Sequence, residues 1–528
     1  MGFDWALPYA SRRSPVFARN LVATSQPLAA QAGLRMLEAG GNAVDAALAT
    51  AIALTVVEPT HNGLGSDAFA LVWDGGTLHG LNGSGRSPAA WTPDRFAGRE
   101  RMPDFGWETV TVPGAVSTWV AMSERFGALP FERLFDPAIT YARDGFPVGP
   151  ISARYWRLGG RMHADKPDFQ AHFLPGGRAP RPGEIFRSPD TATSLESIAA
   201  TRGESFYRGE LAERMATCAR AAGGALDEND LGNHHCDWTT PLGQRYREVT
   251  LHEIPPNGQG LAALIALGLL EYHDVAGLTP DGADSIHLQV EAFKLAWVQA
   301  ARHIADLDAM KRTPASFLDP DGFREQAAGI DLQRARGLTT SLPSSPDTVY
   351  LTAADADGRM VSFIQSNFLG FGSGIVVPGT GIHLQNRGRG FSLEAGHPNR
   401  VGPRKRPFHT IIPGFVTCRG EPLMSFGVMG GHMQAQGHVQ MLVRLFDHRQ
   451  NPQAALDAPR WHLREDGALL LEPGHAPAVI EALRARGHAV VLDAPAHLFG
   501  GGQIILRTGD EAYCGASDSR KEGHAAGF

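Results

Sequence analysis

An abrupt change of local character near residue 348 constrains this chain more than any other feature. GlyLeuThrThrSerLeuProSerSerProAsp, at 337–347, is a run of turn formers without helical or strand period, so an exposed, mobile loop is expected there. It stops at Thr348. ThrValTyrLeuThrAlaAla at 348–354 is rich in β-formers, Asp357-Gly358 is a hairpin turn signal, and MetValSerPheIleGlnSer at 360–366 reads as the returning strand. A two-residue turn sets Thr348 opposite Asn367, whereas a three-residue turn slips the register and puts Ser366 on the Thr348 face. Either way a short polar side chain stands beside Thr348.

The rest of the chain reads as one globular body. From Pro27 to Glu58 small and apolar residues, broken at GlyGlyAsn 40–42, predict two helices ending before Pro59. HisAsnGlyLeuGlySer at 61–66 predicts a flexible loop, and PheAlaLeuValTrp at 69–73 a buried strand. Residues 107–330 read as mainly helical with Pro/Gly-rich breaks. The longest apolar run, Ala43 to Val57, contains Asp45 and is shorter than the roughly 20 residues that cross a bilayer, so a buried helix is expected and no membrane span.

Charge and cysteine usage narrow the function classes. With 48 basic and 55 acidic side chains the net charge is −7, which gives no footprint for nucleic acid or an anionic membrane and points to a small-molecule partner. Cys218, Cys236, Cys418 and Cys514 lie far apart without a CxxC pair, so neither a zinc knuckle nor a disulfide framework is expected. The start, MetGlyPheAspTrpAla, lacks an apolar secretory core, and a cytoplasmic location is expected. His234-His235-Cys236 and the pair His432 and His438 lack metal-ligand spacing, so no catalytic metal is expected, and nothing calls for a cofactor. GlyLeuGlySerAspAla at 63–68 has the glycine spacing of a dinucleotide loop, but it follows a helix and precedes a strand, the reverse of that fold.

At Thr348 the sequence resembles the gamma-glutamyltransferase family of N-terminal nucleophile hydrolases. ThrValTyrLeuThrAlaAlaAspAlaAspGly at 348–358 is similar to the start of that family's small subunit. PheGlySerGlyIle at 371–375, GlyIleHisLeuGlnAsn at 381–386, LysArgPro at 405–407, MetGlyGly at 429–431, AlaProArgTrpHis at 458–462 and TyrCysGlyAlaSerAsp at 513–518 continue the match. GlyGlyAsnAlaValAspAla at 40–46 and ValValGluPro at 56–59 match the large subunit.

The resemblance implies an α+β fold, a four-layer αββα sandwich with two stacked antiparallel sheets. It implies a precursor cut between Asp347 and Thr348, giving a large subunit 1–347 and a small subunit 348–528 that stay intertwined as one globular domain. Pairing of processed units into a homodimer is left open. Thr348 would be the nucleophile and its freed α-amine the base, since an α-amine with a reference pKa of about 7.7–8.0 is partly neutral near pH 7. Gly430 and Gly431 match the pair whose backbone N–H groups hold the oxyanion, although two adjacent glycines also suit a tight turn. Ser366 stands where the family keeps a second threonine.

The pattern departs at the substrate receptor. Ser84 stands at the position of the family's arginine, with Arg86 displaced by two; Gly390 replaces the acidic residue, Arg387 a glutamine, and His409 and Thr410 the paired serines. Loss of a carboxylate for an ammonium and gain of Arg387 suggest a substrate with an anionic group and no α-amine, held by Arg387, Asn367, His409, Thr410 and Arg86. Amide hydrolysis, as in oxamate amidohydrolase or the cephalosporin and glutaryl acylases, is therefore expected over gamma-glutamyl transfer or glutathione hydrolysis. The remaining alternative is an uncut, non-catalytic family member.

Overall fold

Short-range signals at the N-terminal end build the first layer. The computed structural model describes residues 5, 13–338, 347–509 and 511–528. Helix α1, Pro27–Glu38, opens with Pro27 in its first turn and with the Gln26 side chain accepting from the Leu28 and Ala29 N–H groups. Helix α2, Ala43–Val57, opens with a capping box: Asn42 accepts from the Asp45 N–H, and Asp45 accepts from the Asn42 N–H. Every residue of α2 is buried, as its apolar run predicts.

Two seven-stranded antiparallel sheets form the centre. The strands are β1 Val16–Ala18, β2 Leu21–Thr24, β3 Asp67–Trp73, β4 Leu78–Asn82, β5 Asp237–Thr239, β6 Leu242–Tyr246, β7 Val249–Glu253, β8 Asp347–Ala354, β9 Met360–Phe368, β10 Gly414–Cys418, β11 Glu421–Met429, β12 Gly501–Arg507, β13 Tyr513–Ser517 and β14 His524–Gly527. The first sheet runs β14-β2-β8-β9-β3-β4-β5 and the second β1-β13-β12-β11-β10-β7-β6.

Three apolar layers fix how the sheets stack. One core joins α1 and α2 to the outer face of the first sheet through residues such as Leu48, Ile52, Val349 and Leu351. Another packs α3 (Gly260–Leu270), α4 (Ala283–His303) and α5 (Met433–Leu442) on the second sheet through Leu264, Phe293, Val439 and Val428. Between them Leu21, Phe69, Tyr350, Ile364, Phe415 and Ile505 fill the space between the sheets. The result is the expected αββα sandwich. Because side chains alternate along a strand, Val349 and Leu351 face the helices, whereas Tyr350 and its even-numbered neighbours face the second sheet. Thr348 therefore opens onto the layer between the sheets.

The hairpin carries the three-residue alternative, with its loop at Ala356–Gly358. Asp355 N–H donates to Arg359 O at 3.1 Å, the Asp355 carboxylate accepts from the Asp357 and Arg359 N–H groups, and Gly358 takes φ +88°. Ala354 pairs with Met360 and Val349 with Gln365, and the ladder bulges between Asp347 and Val349. Most of the segment expected to be a mobile loop, 339–346, lies outside the described residues. The loop expected to be flexible at His61–Ser66 is buried throughout instead. Asn62 Nδ2 donates to Leu54 O (3.0 Å) and Glu58 O (2.9 Å), so the carbonyls ending α2 supply the polar partners that water supplies to an exposed loop. Its glycines serve packing: a Cβ on Gly63 would sit 2.1 Å from His383 Cε1, and one on Gly65 would sit 2.4 Å from His383 O.

Candidate active site

The start of β8 brings the nucleophile candidate to two polar partners. Thr348 is buried, its Oγ1 lies 3.3 Å from Ser366 Oγ as donor, and Gln434 Nε2 donates to the same Oγ1 at 3.3 Å. Ser366 Oγ also accepts from the Phe368 N–H at 2.8 Å. Asn367, offered by the other register, turns away: its Oδ1 accepts from Ser66 Oγ at 2.7 Å.

Gln434 ties Thr348 to the glycine pair. It lies in the first turn of α5, directly after Gly430, Gly431 and His432, and its Oε1 accepts from the Ile412 N–H at 3.0 Å. Gly430 (φ +122°) and Gly431 (φ +59°) make the turn from β11 into α5, where side chains other than glycine are strained. Gly431 O accepts from Gln259 Nε2 at 2.8 Å and from the Gln434 N–H at 3.2 Å, while the Gly431 N–H donates to no acceptor among the described residues. That N–H stands at the start of α5, where the helix dipole favours an anion, and the positive φ values show the tight turn.

A second group of buried polar side chains forms the receptor candidate. Arg387 is 1% exposed, donates from one terminal nitrogen to Thr410 Oγ1 at 2.7 Å and lies over the Phe368 ring at 4.5 Å. Its Nε and other terminal nitrogen, and Asn367 Nδ2, have no hydrogen-bond partner among the described residues. Burial pulls the Arg387 guanidinium down to about 9, against the pull of Asp67. His409 Nε2 lies 3.2 Å from Asp67 Oδ2, and both side chains are without exposure. Burial, then Arg387 and Arg406, hold the His409 ring neutral, well below the ordinary histidine range. Beside the receptor, Trp297, Phe391, Phe408, Arg389 and Gly390 line part of a cavity of about 620 Å³.

The structure brings Thr348 to Ser366 and, through Gln434, to the Gly430-Gly431 turn, and it brings Arg387 to Thr410 and its neighbour His409, with Asn367 O accepting from the Asn386 N–H beside Arg387. It does not bring in Arg86, whose guanidinium turns 3.5 Å from Asp237 and lines a second cavity with Ser87, His234, His235 and Arg404. Gly390 cannot carry an acid on this backbone, because a Cβ there would stand 2.6 Å from Phe408 O. Gln434 and Asp67 escaped the sequence reading. Asp67 had a signal: a carboxylate heads the otherwise apolar strand AspAlaPheAlaLeuValTrp.

Of the histidines set aside as metal ligands, His234 and His438 are bound to protein groups, whereas the ring nitrogens of the buried His432 have no hydrogen-bond partner among the described residues. His234 contacts Ser117 Oγ at 2.9 Å, and His438 Nδ1 contacts Glu253 at 2.6 Å. Among the described residues one grouping could hold an ion, His287, Glu291 and His488, all buried. There His287 meets His488 at 2.7 Å and Asp331 O at 2.8 Å, and Glu291 is paired with Lys294 at 2.8 Å. Lys294 supplies the positive charge that an ion would bring.

The family described as Gamma-glutamyltranspeptidase matches residues 29–528. The chain belongs to the gamma-glutamyltranspeptidase family. It is 35% identical to an oxamate amidohydrolase proenzyme of Klebsiella pneumoniae, covering 98% of this chain and 99% of that protein. It is 34% identical to a glutathione hydrolase-like proenzyme, YwrD, of Bacillus subtilis, covering 98% and 100%. A crystal structure of cephalosporin acylase from Bacillus halodurans superposes with a TM-score of 0.94 at 46% identity, covering 100% of this chain and 99% of that one. All three bear enzyme names, two of them as proenzymes, and the cephalosporin acylase shares the sandwich fold.

Proposed function

We propose that the chain is a proenzyme that cuts itself between Asp347 and Thr348 and then hydrolyses an amide of a small anionic substrate through an ester on Thr348. The observation that carries this reading is the Thr348 hydroxyl, buried at a strand start between Ser366 and Gln434, with the Gly430-Gly431 turn leading into the helix that Gln434 occupies. In the precursor the Thr348 nitrogen is an amide and cannot serve as a base. The Thr348 hydroxyl adds to the Asp347 carbonyl, the C–N bond breaks as the C–O bond forms, and water hydrolyses the ester. The freed amine then takes the hydroxyl proton when Thr348 attacks the substrate carbonyl. The Gly430-Gly431 turn holds the developing oxyanion, a donor typically worth about 2.7–4 kcal/mol. The amine returns the proton to the leaving nitrogen, and water releases the acid.

The receptor supports the substrate class. Arg387 keeps two unpaired N–H-bearing nitrogens in a buried place, an arrangement suited to a carboxylate, and the closed position at Gly390 leaves no acid there for an ammonium. The relatives named for oxamate amidohydrolase and acylase activity support hydrolysis of such amides.

A denaturing gel and a substrate screen test the proposal. The wild type should give two fragments, the smaller beginning ThrValTyr, and Thr348→Ala should remain one folded, inactive chain of 56.6 kDa. The processed protein should hydrolyse oxamate or glutaryl amides in preference to gamma-glutamyl amides. An uncut active wild type refutes the nucleophile assignment; robust gamma-glutamyl transfer to a dipeptide refutes the receptor assignment.

A further inference from the structure

Asp67 stands in register with the reacting groups. On the β9–β3 ladder it is the partner of Ser366, and Ser366 is the hydrogen-bond partner of Thr348, so Thr348, Ser366 and Asp67 form a row across three adjacent strands. The row belongs to the face turned toward the second sheet. Asp67 Oδ1 accepts from the Gly85 N–H (3.2 Å) and the Gly114 N–H (3.1 Å), and Oδ2 faces His409 Nε2. His409 Nδ1 accepts from the Ile411 N–H at 3.4 Å, which leaves the ring proton on Nε2, donated to Asp67. With its oxygens so occupied, Asp67 is poorly placed to receive a substrate ammonium.

The charges facing Asp67 come from three sides. Arg387 and Arg406 attract its carboxylate, and Arg406 is already ion-paired with Asp237. Tyr207 and His234 pack near the Gly114 side; burial keeps the phenol protonated and holds the imidazole neutral, at about 3. The remaining facing group, His409, is neutral. Arg387 is thus the principal support for a negative Asp67, and burial still raises Asp67 to about 7. Each of the two buried groups helps hold the other's charge.

An anion on Arg387 disturbs this balance. It takes a share of the guanidinium's field and adds its own repulsion, both of which favour a neutral Asp67. We propose that Asp67 is the charge-compensating group of the receptor, so that docking of an anionic substrate on Arg387 carries one proton from solvent onto the Asp67–His409 pair. The pair then holds two protons instead of one, and no bond to substrate is made. Neutral amides, lacking the charge that drives the uptake, gain nothing from it. The proposal rests on the reading of Arg387 as the anion receptor.

Calorimetry of the processed protein with glutarate, at pH 7.5 in buffers of different ionisation enthalpy, counts the protons. Most of one proton per bound glutarate is expected in the wild type, and in Asp67→Asn only the remainder due to the Thr348 amine. The glutarate inhibition constant should rise up to about tenfold from pH 6 to pH 8 in the wild type and much less in Asp67→Asn, as linkage to one group near pH 7 requires. Asparagine keeps an oxygen for Gly85 and Gly114, and the wild-type count needs no variant: glutarate binding without proton uptake overturns the proposal. If Arg387→Met abolishes binding but Asp67→Asn leaves the count unchanged, the proposal falls and the receptor stands. If Arg387→Met leaves glutarate binding intact, or glutarate fails to bind the wild type, both fall.

Discussion

Replacing Arg387 with methionine should make the protein more stable and less active. The guanidinium is 1% exposed, and burial pulls it down to about 9. At about 1.4 kcal/mol for each tenfold change, holding it charged costs the fold on the order of 5 kcal/mol at neutral pH, where it is charged folded and unfolded alike. Methionine fills similar space without charge and loses the bond to Thr410 Oγ1, about 1.5–3 kcal/mol, the attraction to Asp67 being already within the net cost of the charge. The balance is a gain of about 2–3 kcal/mol. With about 2.1 cal/mol/K of unfolding entropy per residue, a chain of 528 residues should melt about 1–3 °C higher. Because each charge-assisted hydrogen bond contributes about 1.5–3 kcal/mol, loss of two receptor donors should lower kcat/KM for an anionic amide by a hundredfold or more. Differential scanning calorimetry and steady-state kinetics read both effects on one preparation. A variant that melts several degrees lower with unchanged kcat/KM would show that Arg387 is a structural ion-pair partner, and the receptor argument would fail.

Two other substitutions probe the frame around the site. Gly430→Ala should destabilise by about 2–3 kcal/mol and slow self-cleavage on a gel, because φ is +122° and the new Cβ would stand 2.9 Å from Gly500 Cα. Arg460 and Asp518 are both wholly buried and ion-paired, so Asp518→Ala should cost about 3–5 kcal/mol by urea unfolding. Although burial opposes it, Arg460 and Arg520 hold the Asp518 carboxyl down to about 2. Its contribution is therefore present above the ordinary carboxylate range and lost as pH falls toward 2.

What was legible in the sequence was local. The GlyGlyAsn break at 40–42 sits beside the helix that Asn42 caps, and the Thr348 hairpin is written in contiguous β-formers around Asp357-Gly358. The choice between Ser366 and Asn367 was not legible, because one residue of turn length decides it and both turns suit the same dipeptide. Asp67 was harder still. Its role depends on β3 pairing with β9 across some three hundred residues of chain, and on His409 reaching it from a segment between strands. Arg86 misled for the converse reason: it lies two residues beyond the matching position, and its guanidinium finds Asp237 instead.

Strand order has a consequence for the life of the molecule. In the first sheet β8 and β9 lie between β2 and β3, and in the second β13, β12, β11 and β10 lie between β1 and β7. A break before Thr348 thus leaves two polypeptides threaded through one another in both sheets. Neither piece could leave without unzipping ladders on both of its sides. Each active unit would then keep for life the partner it was born with, copies could not exchange halves, and a mixture of two differently labelled processed preparations should stay unmixed until denatured.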